Sequence, residues 1–185
     1  MHSIRNSRPA FAASLALASL LLPTTGCNSK SAPKPENFIA GLNAYFLDHP
    51  ECLFPNALRL PYETTDPAKT KQLNTLVTNQ LLTVEEERDM HASRYTTTPA
   101  GARYAPRFCY GHRVVSGIDS FTPPAQANGF PETQVTYHYT MEEAPVWAKS
   151  ADVQSAFPTM AHALSGTSSD HATLAATMAG WTVPD

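Results

Sequence analysis

The start of the chain constrains everything that follows, because it combines a basic segment with a short apolar run. Arg5 and Arg8 precede an apolar stretch over 10–22, which only two serines interrupt. A basic start, about 7–15 apolar residues and small residues at the end are typical of a secretory signal peptide. The run is also shorter than the roughly 20 residues that a membrane-spanning helix needs. We therefore predict that residues 1–26 are an export signal that contributes nothing to the fold.

The residues at the end of this signal form a second pattern. Thr24, Thr25 and Gly26 are small, and Cys27 follows them directly. This segment resembles the lipobox of bacterial lipoproteins, and the resemblance covers no other part of the chain. It implies cleavage before Cys27 and a diacylglyceryl group on the Cys27 thiol, with Asn28 implying transport to the outer membrane. The residues alone leave an alternative, an ordinary signal peptide beside an incidental cysteine.

A lipid on Cys27 implies a membrane as partner without any transmembrane helix. Each buried CH₂ group contributes about 0.8 kcal/mol, and two or more acyl chains anchor a protein stably. The resulting division of the chain is a signal peptide over 1–26, a lipidated cysteine with a polar tether over 27–35, and one domain over 36–185. The expected location is the bacterial cell envelope, lipid-anchored to the outer membrane and facing the periplasm.

Length and charge limit what the exported part does. Removing 26 of the 185 residues leaves 159, which suffices for one hydrophobic core. The hydrophobic fraction of 42% excludes a largely disordered chain. Loss of Arg5 and Arg8 takes the formal net charge from −3 to −5, because 13 basic residues become 11 against 16 acidic ones. This balance disfavours binding to nucleic acid.

Two further cysteines remain after Cys27. Cys52 and Cys109 would lie in an oxidising compartment, where disulfides form and persist. We predict a disulfide between them, and two separate buried thiols are the alternative. Neither cysteine lies in a nucleophile signature.

Hydrophobic spacing predicts the first half of the domain. A helix over 36–47 would bury a face that repeats at helical spacing. Asp66 and Pro67 are a favourable N-cap and first residue for a second helix. A short strand rich in threonine and tyrosine is predicted over 94–98.

In the second half of the domain, apolar and polar residues alternate, as they do in strands. Strands are predicted over 108–118 and 132–141, and Val146 to Leu164 should be helical in two pieces divided at Pro158. A final strand over 172–183 would point Leu174 and Met178 inward. Together these elements predict an α+β class, with a small antiparallel sheet and packed helices.

One stretch resembles the core of winged-helix proteins. The residues over 76–83, followed by Tyr95 and the sequence TTTPAG, have the order of a recognition helix and a two-stranded wing. The resemblance implies a winged-helix-like N-terminal half. Glu85, Glu86 and Glu87 lie between the two parts and would repel phosphates, so we predict no nucleic-acid partner.

Chemical motifs are few. The histidines form neither an HxxxH nor an HExxH pair, and no G-x-S-x-G sequence occurs, so we predict no metal, no cofactor and no catalytic residue. The leading hypothesis is an envelope binding or structural module, with a possible envelope protein as partner. The alternative is a periplasmic hydrolase with an unrecognised site among His112, His138 and neighbouring acids such as Glu142 and Glu143.

Overall fold

The computed structural model describes residues 29–184 and has the predicted α+β class, with helices packed on antiparallel sheets. The export signal and Cys27 lie outside the described residues. The described residues form four α-helices with the following bounds: α1 Pro35–Asp48, α2 Pro67–Thr78, α3 Ala151–Ala156 and α4 Pro158–Leu164. In the described part of the chain, none of these helices is long and apolar enough to cross a membrane.

Within residues 29–184, nine strands form two sheets in which every pairing is antiparallel. The larger sheet has the order β1-β5-β7-β8-β9 with β6 beside β7, and the smaller has the order β2-β4-β3. The strands are β1 Glu51–Cys52, β2 Tyr62–Thr64, β3 Leu82–Glu87, β4 Ala92–Thr97, β5 Cys109–Phe121, β6 Ala125–Ala127, β7 Phe130–Glu142, β8 Ser168–Thr177 and β9 Gly180–Thr182.

The two predicted helices of the first half are confirmed. Helix α1 buries Phe38, Leu42 and Phe46, which recur at helical spacing on one face. Helix α2 begins at Pro67, and the Asp66 side chain accepts a hydrogen bond of 2.8 Å from the Ala68 N–H. This cap satisfies one of the amide groups that a helix start leaves without a partner. The short helix at 101–103 then leads towards β5.

The long strands β5 and β7 form the centre of the larger sheet. Val135, Tyr137 and Tyr139 on β7 are buried, as their alternation predicted. They pack with α1 in one hydrophobic cluster, while Tyr95 and Phe108 belong to a second cluster around α2, α3 and α4. Met141 packs against both clusters, and the sheet thus joins the two halves of the core.

The predicted disulfide is present. Cys52 and Cys109 are bonded, with their Cα atoms 3.7 Å apart. The bond joins β1 to the first residue of β5, where the register pairs the same two residues. It therefore fixes the connection after α1 to the sheet that α1 covers.

The C-terminal prediction was wrong in two respects. The segment over 172–183 is a hairpin of β8 and β9 rather than one strand, and Met178 lies in its turn with 95% of its surface exposed. Leu174 is fully buried, as predicted. Gly180 has a φ of +123°, a conformation that glycine adopts without strain, and the chain reverses just before it.

The order of elements after α2 also bears on the winged-helix resemblance. Helix α2 is followed by the β3–β4 hairpin, and β2 pairs with β4. Glu85, Glu86 and Glu87 form part of β3, which is an edge strand and carries charges as edge strands often do. Membership of the winged-helix class stays a prediction.

The predicted helical region over 146–164 has three pieces rather than two, because a short helix at 146–149 precedes α3.

Candidate functional site

The most elaborate polar cluster of the described chain surrounds Arg113 on β5. Residues 113 and 115 share the inward face of the strand, so Arg113 follows the same side as the buried Val115. The guanidinium carbon lies 5.2 Å from the ring centre of Phe46 and 4.6 Å from that of Tyr139. Only 20% of the Arg113 side chain is exposed. Aromatic faces attract a cation at such distances, so the two rings help to hold the charge in place.

Three strands supply hydrogen-bond acceptors to Arg113. Its Nε donates to Glu51 Oε1 at 2.6 Å, and Glu51 is the first residue of β1. Its Nη1 donates to Asp170 Oδ2 on β8 at 2.6 Å and to the Tyr137 hydroxyl on β7 at 3.1 Å. Such charge-assisted bonds are short and strong. Arg113 therefore links β1, β7 and β8 to its own strand.

The contacts of this cluster keep Arg113 and Asp170 charged. Burial lowers the pKa of Arg113, but the hydrogen bond with Asp170 and the charge of Glu51 outweigh it, so the net pKa is raised. Burial raises the pKa of Asp170, yet the hydrogen bonds from Arg113 and from the His171 N–H lower it below the usual value. Burial raises the pKa of Tyr137 to about 12, against the opposing effect of Arg113. One guanidinium thus faces two carboxylate groups and a protonated phenol.

A depression of about 340 Å³ opens over this cluster. Its rim includes Tyr45, His49 and His171, and the ring of His49 stacks on that of Tyr45 at 3.9 Å. The hydrogen bonds of Arg113 within residues 29–184 come from Nε and Nη1, so the two N–H groups of Nη2 are not engaged there. These groups are available to an oxygen acceptor on a ligand.

The geometry favours binding over proton transfer. A general acid needs a pKa close to the pH at which the enzyme works. A carboxyl group that was buried with no cation beside it would have its pKa raised towards that pH. Asp170 instead has a lowered pKa because Arg113 and the His171 N–H donate to it. Its carboxylate, like that of Glu51, is directed at the guanidinium and orients it.

The two histidines of the hydrolase alternative are not brought together. His112 lies 3.7 Å from Glu143, while His138 lies 2.8 Å from Asp119. His138 is opposite Gly117 in the register of the two strands, five residues from His112 along β5. At the rise of a strand, this separation is about 16 Å. Each histidine therefore has an acid of its own, and the two imidazoles do not share a site.

A serine, a histidine and an aspartate do occupy three adjacent strands. Ser169 on β8 is opposite His138 on β7, and His138 binds Asp119 on β5. The imidazole lies over Gly117, where a Cβ would overlap it, and thus leans towards β5. No hydrogen bond joins Ser169 to His138 in the described part of the chain. Nucleophilic catalysis needs a base within hydrogen-bond reach of the nucleophile, and this row does not supply it.

Metal ligands do not converge either. Within residues 29–184, no group of three or more histidine, cysteine, aspartate or glutamate side chains is placed to hold a metal ion. Cys52 and Cys109 are engaged with each other, and Cys27 lies outside the described residues.

The sequence analysis missed the Arg113 cluster. Glu51, Arg113 and Asp170 are about 60 residues apart from one to the next, so no local motif connects them. One signal was present, since an arginine two residues from Val115 occupies an inward position of a predicted strand.

Comparison with protein-family models, with curated proteins and with solved structures finds no match for this chain.

Proposed function

We propose that this chain is a lipid-anchored cell-envelope protein whose domain is a binding module that faces the periplasm. The lipid is attached to Cys27, and Asn28 directs the protein to the outer membrane. The candidate binding surface is the depression over Arg113.

One observation carries the proposal, namely how the chain enters the domain. The Ser31 hydroxyl donates to the Thr177 carbonyl at 3.1 Å, and the Trp181 indole N–H donates to the Ala32 carbonyl at 3.1 Å. The described part of the predicted tether is therefore held on the β8–β9 hairpin. Only Asn28 separates Cys27 from Ser29, so the Cα atoms of these two residues are at most about 7 Å apart. An anchor at Cys27 would hold the domain close to the membrane and in a preferred orientation.

Two further features agree with this location. The Cys52–Cys109 disulfide suits an oxidising compartment such as the periplasm. The depression over Arg113 is lined by Tyr137, seven residues along β7 from Phe130 at the end of the sheet near Ser31. This separation is about 23 Å along an extended strand, so the depression would lie away from the membrane.

The anchor is tested by metabolic labelling with palmitate. Wild-type protein should incorporate the label, the Cys27→Ser variant should not, and Ser29→Ala should label like wild type as a matched control. Mass spectrometry of the N-terminal peptide should show acyl groups on Cys27, and the protein should fractionate with outer membranes. Equal labelling of wild type and Cys27→Ser would refute the anchor.

The binding role is tested by a photo-crosslinking amino acid in living cells. A crosslinker in place of the exposed His171 should form an adduct, and one in place of Met90, an exposed residue distant in the fold, should not. The His171 adduct should decrease in an Arg113→Gln background, because Nη2 is then lost. Absence of an adduct at 171, or equal adducts at both positions, would contradict a binding site there.

A further inference from the structure

Two large apolar side chains are exposed at one end of the larger sheet. Met178 occupies the β8–β9 turn with 95% of its surface exposed, and Phe130 begins β7 with 48% exposed. We call these two residues the apolar tip. Exposure of such side chains at a turn costs free energy in water, because apolar surface is favourably transferred to an apolar medium.

The apolar tip lies where the chain enters the domain. Glu132 pairs with Ala175, so the antiparallel register places Phe130 and Thr177 at the same end of β7 and β8. Thr177 directly precedes Met178, and its carbonyl accepts the hydrogen bond from Ser31. Ser31 of the entering segment thus contacts the residue that precedes the turn carrying Met178.

Charges at this end are of both signs, with two lysines closest to the chain entry. Lys30 and Lys34 are exposed in the entering segment. Glu36 lies in the first turn of α1 beside them, and Glu132 accepts a hydrogen bond of 3.0 Å from Asn128 in the turn before Phe130. Lysine side chains close to a bilayer are attracted to anionic lipid headgroups.

We propose that the apolar tip inserts into the interfacial region of the bilayer that holds the Cys27 lipid. The inference rests on the proposed lipid anchor, and it adds a second, non-covalent contact between protein and membrane. Only Asn28 lies between Cys27 and Ser29, so the Cα atoms of these two residues are at most about 7 Å apart, which is within the depth of about 5–10 Å at which interfacial apolar side chains lie. The bilayer is the occupant favoured over a protein partner because the attachment point is so close to the tip.

Fluorescence quenching by brominated lipids tests the insertion. The full-length exported protein, purified with its anchor, is reconstituted into vesicles of phosphatidylethanolamine and phosphatidylglycerol with brominated acyl chains. The variant Met178→Trp reports on the tip. Val146→Trp is the matched control, because Val146 is 88% exposed and follows the opposite end of β7. The native Trp147 and Trp181 are buried and give the same background in both variants.

The tip should be quenched at least twofold more than the control, with a shift of its emission to shorter wavelength. Acylated protein that floats with the vesicles but shows equal quenching at both positions would overturn the insertion and leave the anchor standing. Protein that carries no acyl group on Cys27 and does not float would overturn the proposed anchor, and the insertion with it. Replacement of Phe130 by Ser in the Met178→Trp variant should reduce the quenching, because half of the tip is removed.

Discussion

Asn43 of α1 forms two hydrogen bonds with the backbone of Val115 on β5. Its side-chain oxygen accepts from the Val115 N–H at 2.7 Å, and its side-chain nitrogen donates to the Val115 carbonyl at 3.3 Å. Strand β1 begins at Glu51, opposite Gly111, so within residues 29–184 this edge of β5 has no strand partner at Val115. The helix side chain therefore takes the place of a neighbouring strand, at the point where the β5–β7 register shifts.

We expect Asn43→Ala to lower the free energy of unfolding by about 1–3 kcal/mol, because a buried N–H and carbonyl lose their partners. Urea denaturation at neutral pH measures the change. Asn43→Asp keeps the acceptor for the Val115 N–H and should be less destabilised. An Asn43→Ala protein as stable as wild type would show that water replaces both bonds.

Gly41 provides a test in which the direction of the effect is decisive. A methyl group at position 41 would lie 2.9 Å from the carbonyl carbon of Trp181 and closer still to its oxygen. Alanine is favoured over glycine within a helix by up to about 1 kcal/mol, whereas overpacking costs about 1–3 kcal/mol. We expect Gly41→Ala to be destabilised in thermal or urea unfolding, because the neighbouring group is backbone. Ala44→Gly, at an exposed position of the same helix, should lose only the helix preference, and a stabilised Gly41→Ala would contradict the close packing.

Removal of the disulfide should lower the free energy of unfolding by more than Asn43→Ala or Gly41→Ala does. Cys52 and Cys109 are 57 residues apart, and the loss of this cross-link releases chain entropy in the unfolded state worth about 4 kcal/mol. The double variant Cys52→Ser with Cys109→Ser should show this loss in denaturant unfolding. Wild type in excess reductant should approach the same stability, and a variant unchanged in stability would mean that the bond adds nothing to the fold.

We expect Arg113 to stabilise the fold because its charge offsets those of Glu51 and Asp170. Arg113→Met leaves Glu51 and Asp170 without a cation, and breaking a buried ion pair costs about 3–5 kcal/mol. The carboxylates are about one-third exposed, so we expect the lower end of this range. Adding Glu51→Gln and Asp170→Asn to Arg113→Met should restore most of the stability, because no unpaired charge remains. Failure of this triple variant to recover would instead point to the packing of Arg113 against its aromatic neighbours.

Alkaline stability should depend on Tyr110. Burial raises the pKa of Tyr110 to about 12 from a usual value of 10.0, with a smaller contribution from Glu51. The folded state therefore holds the proton more tightly, so this stabilisation is complete below pH 10 and disappears as the pH rises from 10 to about 12. The Tyr110 hydroxyl forms no hydrogen bond with another residue between 29 and 184, so Tyr110→Phe should be nearly neutral at pH 7. Between pH 10 and 12, the free energy of unfolding of Tyr110→Phe, measured in urea, should fall by about 2 kcal/mol less than that of wild type. Parallel loss in both proteins would contradict the raised pKa.

Elements whose signals are local could be predicted from the sequence. Helix α2 followed from Asp66 and Pro67, and the inward face of β7 followed from the alternation of Val135, Tyr137 and Tyr139. Met178 was misplaced because apolar character alone does not distinguish a buried strand position from an exposed turn. The short strands β1 and β2 were missed, since each gains its hydrogen bonds from a partner distant in sequence.

The sequence by itself determined the α+β class, and it predicted the export and lipobox patterns and the pairing of Cys52 with Cys109. These depend on composition, short motifs and the periods of helix and strand, all of which are local. Only the tertiary structure decided that Glu51, Arg113 and Asp170 meet, that Asn43 completes the edge of β5, and that Met178 lies beside the entering chain. The reason is physical: those contacts depend on strand register and helix placement, which the packing of the whole core fixes and no short stretch of sequence encodes.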